Sequence, residues 1–217
     1  MKRNLTLLLL AAALLASAPA LVLAQAKPAS AAASQASPNQ LVLDNSRRVL
    51  ATLESRRAEF SKDRGALRAF IKSEFNQMFD RDYAARQVLG RHGRDASDAD
   101  VKDFADALAD SLMQRYGSSL LDFNTQLRVR VKSETPLPRG LGVKVSSEFL
   151  RSGGDPIPVD YLMRRSGGQW KVFDVMVEGV SFVQTFRQQF DNELNHKSIR
   201  QVAAELRNGQ LQADAGK

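Results

Sequence analysis

The chain of 217 residues carries 31 basic against 24 acidic side chains, a formal net charge of +7, and is 43% hydrophobic with no cysteine. No disulfide framework is possible, so folding must rest on an apolar core; so small a basic excess, without a recognition motif, gives no support to nucleic-acid binding. The length suits one domain of about 190 residues behind an N-terminal leader.

Lys2 and Arg3 precede an uncharged apolar run over residues 5–15 and small residues over 16–24, the pattern of a secretory signal peptide. Cleavage is expected after Ala24, with Val22 and Ala24 at the small-residue positions, or after Ala26. The apolar run is shorter than the ~20 residues of a membrane-spanning helix, and with no cysteine behind it a lipoprotein anchor is excluded. Loss of residues 1–24 leaves 29 basic against 24 acidic residues, a net +5. Residues 25–36, rich in Ala, Ser, Gln and Pro, have too little apolar surface to fold and read as a flexible leader. Residues 37–209 are expected to form the folded domain and 210–217 a tail.

Helical periodicity dominates from Ser37 to about Leu121. Ser37, Pro38 and Gln40 suit the N-cap, first-turn and capping-box positions of a helix that should reach about Arg57. A second helix places Leu67, Phe70, Ile71, Phe75, Met78 and Phe79 on one face. A short third runs over residues 80–89, ended by Gly90 and Gly93. Ser97 and Asp100 cap a fourth, with Val101, Phe104, Leu108, Leu112 and Tyr116 inside and Asp103, Asp106 and Asp110 outside.

The period then changes to two. Phe123, Thr125, Leu127, Val129 and Val131 alternate with Gln126, Arg128, Arg130 and Lys132, the mark of a half-buried strand. Leu141, Val143, Val145 and Phe149 predict a second strand, and Ile157, Val159, Tyr161 and Met163 a third. Gly167 and Gly168 make a tight hairpin into a fourth from Trp170. Strict alternation turns Trp170, Val172 and Met176 one way and Phe173, Val175 and Val177 the other, so that strand needs cover on both faces. After Gly179, Phe182, Phe186, Phe190 and Leu194 recur every four positions along a helix, and a last helix holds Ile199, Val202 and Leu206. The fold class is therefore α+β, a curved four-stranded antiparallel meander wrapped by N- and C-terminal helices.

Residues 170–190, WKVFDVMVEGVSFVQTFRQQF, resemble the C-terminal signature of the MlaC family, periplasmic phospholipid-binding proteins also described as toluene-tolerance or ABC-transporter auxiliary proteins. The resemblance implies an apolar pocket between sheet and helices that takes acyl chains while the headgroup stays near the surface. It implies a soluble periplasmic carrier whose cargo is phospholipid and which needs no cofactor. Its expected partners are an inner-membrane ABC transporter with its MCE-domain protein and an outer-membrane lipoprotein–porin complex. Under that reading Val177, Val180, Phe182 and Phe186 are the first candidates to line the pocket. Val129, Val145 and Tyr161 on the strands, with Phe75 and Phe79 from the helices, follow. Each also suits an ordinary core position.

Arg47 with Arg48, Arg56 with Arg57, the Arg128, Arg130 and Lys132 row, and Arg164 with Arg165 could meet anionic headgroups, or simply a solvated surface. Enzyme signatures are weak. Gly179, Val180 and Ser181 begin like a nucleophile elbow, but Val183 stands where the second glycine is required. His92 and His196 lack metal-ligand or triad spacing. Asp98 and Asp100 read as capping residues rather than a calcium loop. Two alternatives to a carrier stay open: an enzyme using Asp174 in a cone-shaped pocket on a small hydrophobic substrate, and a solid-core adaptor of a membrane complex.

Overall fold

A computed structural model of the chain describes residues 36–116, 127–151 and 154–214. The expected signal peptide and the expected leader up to residue 35 lie outside these residues, as do Phe123 and Thr125 of the expected first strand. Seven α-helices are described: α1 (Pro38–Ser55), α2 (Arg57–Lys62), α3 (Arg64–Met78), α4 (Arg81–Leu89), α5 (Asp98–Tyr116), α6 (Phe182–Leu194) and α7 (Ile199–Asn208). Between α5 and α6 lie β1 (Arg128–Pro136), β2 (Val143–Leu150), β3 (Ile157–Ser166), β4 (Gln169–Val177) and the two-residue β5 (Val180–Ser181). The strands pair in sequence order, each antiparallel to the next.

Local chemistry accounts for most boundaries. Ser37 caps α1 by accepting from the Gln40 N–H at 3.3 Å, but the Gln40 side chain turns forward to Asp44 instead of closing a capping box. Asp63, Asp80, Ser97, Ser181 and Ser198 accept in the same way at later helix starts, supplying partners for N–H groups that no turn satisfies. The first helix ends at Ser55, within two residues of the expected end, and the chain turns at Arg56 (φ −105°, ψ 14°), whose guanidinium pairs with Glu59 and lies 4.5 Å over the Phe60 ring. No Gly or Pro signals this turn. Phe79 is not helical: it turns extended and bridges Val172, while the Asp80 N–H donates to the Val172 carbonyl at 2.8 Å, stitching the end of α3 to the sheet. Leu141, expected on the second strand, stands 53% exposed in the preceding loop. Asp103, Asp106 and Asp110 do face outward on α5, but as ion-pair partners of Arg207, Arg81 and Lys72.

Two-residue hairpins set the register. Gly167 and Gly168 (φ 56° and 79°) join β3 to β4, and Glu178 and Gly179 (φ 50° and 84°) fold β4 back into β5, so the last strand does not run straight into the helix. This hairpin supplies the fifth strand that alternation missed.

A bulge at Phe173 decides which residues share a face. Leu162 pairs with Asp174 but Met163 pairs with Val172, leaving Phe173 unpaired. Trp170, Val172, Val175 and Val177 therefore lie on one face, and Asp174 and Met176 on the other, which corrects the strict alternation. Phe173 meets Tyr83 of α4 edge-on, ring centroids 5.3 Å apart. A second bulge at Lys132 interrupts β1.

The described residues hold two main cores. One, among α4 to α7, buries sixteen apolar side chains with only five more half-buried around it. Phe104 and Phe190 meet there edge to face at 5.6 Å. Residues beyond α7 join it: Ala213 is fully buried and its N–H donates to Ser111 at 3.2 Å. The other lies between α1 and one face of the sheet. It buries six apolar side chains, with ten more only half-buried.

Gly142 (φ 141°) lies so close to β3 that an added Cβ would sit 1.9 Å from the Met163 carbonyl oxygen. Gly142→Ala is expected to destabilise the fold by well over ~1 kcal/mol. Urea denaturation reads this directly, and wild-type stability in the variant would contradict the packing described.

Candidate functional site

Cross-strand pairing assembles the sheet face that looks toward α1. Val131, Ser147, Val159, Val177 and Val180 form one row across all five strands. Val129, Phe149 and Ile157 flank it on one side, and Val145, Tyr161 and Val175 on the other, followed by Val143, Met163 and Val172. The polar atoms on this face are satisfied internally. Ser147 donates its hydroxyl to the Val159 carbonyl at 2.8 Å, and the buried Tyr161 hydroxyl is hydrogen-bonded to Ser46 of α1, with burial raising its pKa above the phenolic value. Leu41 and Val42 of α1, with Met78 and Phe79, cover the middle. Among the described residues, ten apolar side chains around this face are only partly buried.

A cleft of about 320 Å³ opens into this core at the end of the strands marked by the Ser166/Gln169 hairpin, away from Val180. Leu41, Met78, Met163 and Trp170 line it with apolar surface. Asn45, Arg48, Gln77, Gln169 and Lys171 bring polar groups to it, and Ala36 also borders it.

The structure brings together Val129, Val145, Tyr161 and Val177 on the α1-facing sheet surface, with Val180 at its margin, 51% exposed. Phe79 closes on them from the helical side, stacked on Phe75 at 4.0 Å. Phe182 and Phe186 are elsewhere. They belong to the α4–α7 core, where Phe186 is buried and stacks on Phe190 at 6.3 Å. Reasoning from the sequence missed Val143, Phe149, Ile157 and Met163 as site residues although their alternation was visible. It also did not single out Trp170, on the same face as Val172, or Lys171, which alternates to the other side of β4 and reaches the Gln77 carbonyl at the end of α3.

Asp174 looks away from this face and is almost fully buried. It accepts from the Ser181 hydroxyl at 2.6 Å and from the Val183 N–H at 3.0 Å, so it fastens the end of the sheet to the start of α6 and pairs with no arginine. Burial pushes its carboxyl above the ordinary carboxylate range, against the opposing pull of those bonds. An acid so engaged, on the face opposite the apolar surface, does not supply the catalytic group that the enzyme alternative needs.

The basic pairs are largely engaged as well. Arg130 and Lys132 share Glu148, Arg164 pairs with Asp80 and lies over Tyr83, and Arg165 lies 4.6 Å over Trp170. His92 is half-buried against Asp191 at 3.2 Å, and His196 is exposed. Among the described residues, no group of three or more His, Asp or Glu side chains is placed to hold a metal ion.

Comparison with known proteins fits this geometry. The family described as MlaC protein matches residues 43–208. The chain belongs to the MlaC family. Toluene tolerance protein ttg2D of Pseudomonas putida is 27% identical over 203 residues, covering 89% of this chain and 92% of the relative. The intermembrane phospholipid transport system binding protein MlaC of Haemophilus influenzae is 21% identical over 171 residues, covering 77% and 79%. Among solved structures, a phospholipid-binding protein from Ralstonia solanacearum, determined in complex with a phospholipid, superposes with a TM-score of 0.70. It is 20% identical and covers 81% of this chain and 98% of that one. The MlaC-family fold thus extends over both helical and sheet halves, well beyond the signature residues 170–190.

Two substitutions test the scaffold beside this surface. Asp174→Ala, which leaves the Ser181 hydroxyl and Val183 N–H without their acceptor, is expected to lose about 2 kcal/mol of stability, and Asp174→Asn less. Because the folded pKa is raised, the carboxyl's contribution is fully present below the unfolded pKa and is lost as pH rises through the folded value. Wild-type stability relative to Asp174→Asn should therefore fall as pH rises through that window. Denaturation at a series of pH values checks this, and a difference that grows in the wild type's favour would count against it. Phe186→Ala removes a ring from the α4–α7 core and is expected to cost about 3–5 kcal/mol, measured as a lowered Tm.

Proposed function

We propose that this chain is a periplasmic phospholipid carrier that holds acyl chains against the sheet face under α1. One observation carries the reading: an apolar surface spanning five strands whose rim, among the described residues, is only partly buried. The membership in the MlaC family, the phospholipid transport named for the Haemophilus relative and the phospholipid bound by the Ralstonia protein support it. The observed cleft is at the low end of the ~300–1,000 Å³ typical of ligand sites. Taking up full-length tails therefore requires α1 and the end of α3 to move off the sheet. The thin contact of α3 with the sheet, chiefly through Met78 and Phe79, makes that the expected motion.

Burial of a methylene is worth about 0.8 kcal/mol, so one acyl chain represents on the order of 10 kcal/mol. A carrier must nearly match the bilayer, and release into water would be too slow to be useful. Transfer then needs docking onto partners that offer a continuous apolar path: an inner-membrane ABC transporter with its MCE-domain protein, and an outer-membrane lipoprotein–porin complex. The carrier consumes no ATP and performs no chemistry on its cargo.

Native mass spectrometry of the purified protein tests this, a phospholipid-mass adduct being expected and a bare polypeptide favouring an adaptor. Val180→Glu places a charge on the exposed margin of the apolar row, so it should change stability by no more than about 0.5 kcal/mol while sharply reducing the adduct. Full lipid occupancy in that variant would remove Val180 from the site.

A further inference from the structure

The cleft beside Trp170 has a division that the acyl-chain reading does not use. Its apolar floor of Leu41, Met78, Met163 and Trp170 continues into the core between α1 and the sheet, whereas its lining carries two cations, Arg48 and Lys171, with the Glu74 carboxylate paired to Arg48 from outside the lining. Building on the carrier reading, we propose that Arg48 and Lys171 form the site that receives the phosphodiester of the bound phospholipid.

Both cations are held in place by bonds that leave donors over. The Arg48 guanidinium is braced through Nε and one terminal nitrogen by Glu74, at 3.1 and 2.6 Å, and by Asn45 at 2.7 Å. Its other terminal nitrogen makes no hydrogen bond among the described residues. The Lys171 ammonium donates to the Gln77 carbonyl at the end of α3, which fixes it at the cleft with two further protons to offer. A guanidinium from α1 and an ammonium from β4, both lining one cleft, suit an anion with several acceptor oxygens. The volume of about 320 Å³ suits a phosphoglycerol unit better than two tails, which would run along the floor into the core. The chain's own leader is a poor occupant, because residues 25–35 include Lys27 and no acid and so share the sign of the rim.

Trp170 is the only tryptophan in the chain and lies at the cleft, so its fluorescence reports on the site. Dihexanoyl phosphatidylglycerol, titrated below its micelle concentration into the full chain, is expected to shift Trp170 emission. Arg48→Gln with Lys171→Gln should weaken that binding about tenfold or more, as loss of charge-assisted bonds implies. Glu74→Gln, which removes the competing carboxylate, should tighten it, a gain that misfolding cannot imitate. Dihexanoylglycerol, which lacks the phosphate, should bind more weakly than the phospholipid. Inorganic phosphate and glycerol 3-phosphate should bind more weakly still.

Equal binding of dihexanoylglycerol, or an unchanged affinity in both the double variant and Glu74→Gln, would overturn the phosphodiester site. So would inorganic phosphate binding as tightly as the phospholipid, which would mark a free-phosphate site. Native mass spectrometry separates this failure from that of the carrier reading. A lipid adduct on the wild type, undiminished in the double variant, sinks only the Arg48/Lys171 assignment, whereas no adduct on the wild type sinks the carrier.

Discussion

The single unpaired residue in β4 organises the site. By slipping the register at Phe173, the bulge puts Val175 and Val177 on the same face as Trp170 and Val172, sends the Phe173 ring to Tyr83 of α4, and turns Asp174 toward the start of α6. Without that slip, an uninterrupted strand would carry Asp174 into the apolar face beside Val172, where an unpaired carboxylate is strongly disfavoured. One extra residue thus joins the strand to two helices on one side while leaving a continuous apolar surface on the other.

The two cores that result are unlike in how well they are closed. The α4–α7 core is ringed by helices and finished by a buried Ala213, and it anchors the aromatic stripe of α6. Among the described residues, the sheet core is covered by one helix and the tip of another. Rigidity on one side and incomplete cover on the other divide the labour between a scaffold and a surface available to a ligand, as local stability differences within one domain commonly do.

Much of this was legible in the residues. Ser97 with Asp100, and Gly167 with Gly168, mark their cap and hairpin because each acts within a few positions on its own backbone. The apolar alternation of β2 and β3 likewise identifies their inner face. The bulge was not legible, since nothing about Phe173 itself distinguishes an unpaired position from a paired one; the slip is decided by how β4 fits both β3 and Tyr83. Phe182 and Phe186 lie next in sequence to the site strand, yet the hairpin at Glu178 and Gly179 reverses the chain and carries them to the other core. The cleft's charged rim draws Arg48, Gln77 and Lys171 from three separate elements, a grouping that only the folded chain creates.

A protein that leaves greasy surface partly uncovered must also avoid sticking to itself. Among the described strands β1 forms one edge of the meander, and there the ladder is interrupted by the extra residue at Lys132 and ends at Pro136, which has no N–H to offer. A second copy seeking to extend the sheet would meet a bent strand and a missing donor. Such an edge works against fibre-like stacking of one sheet on another.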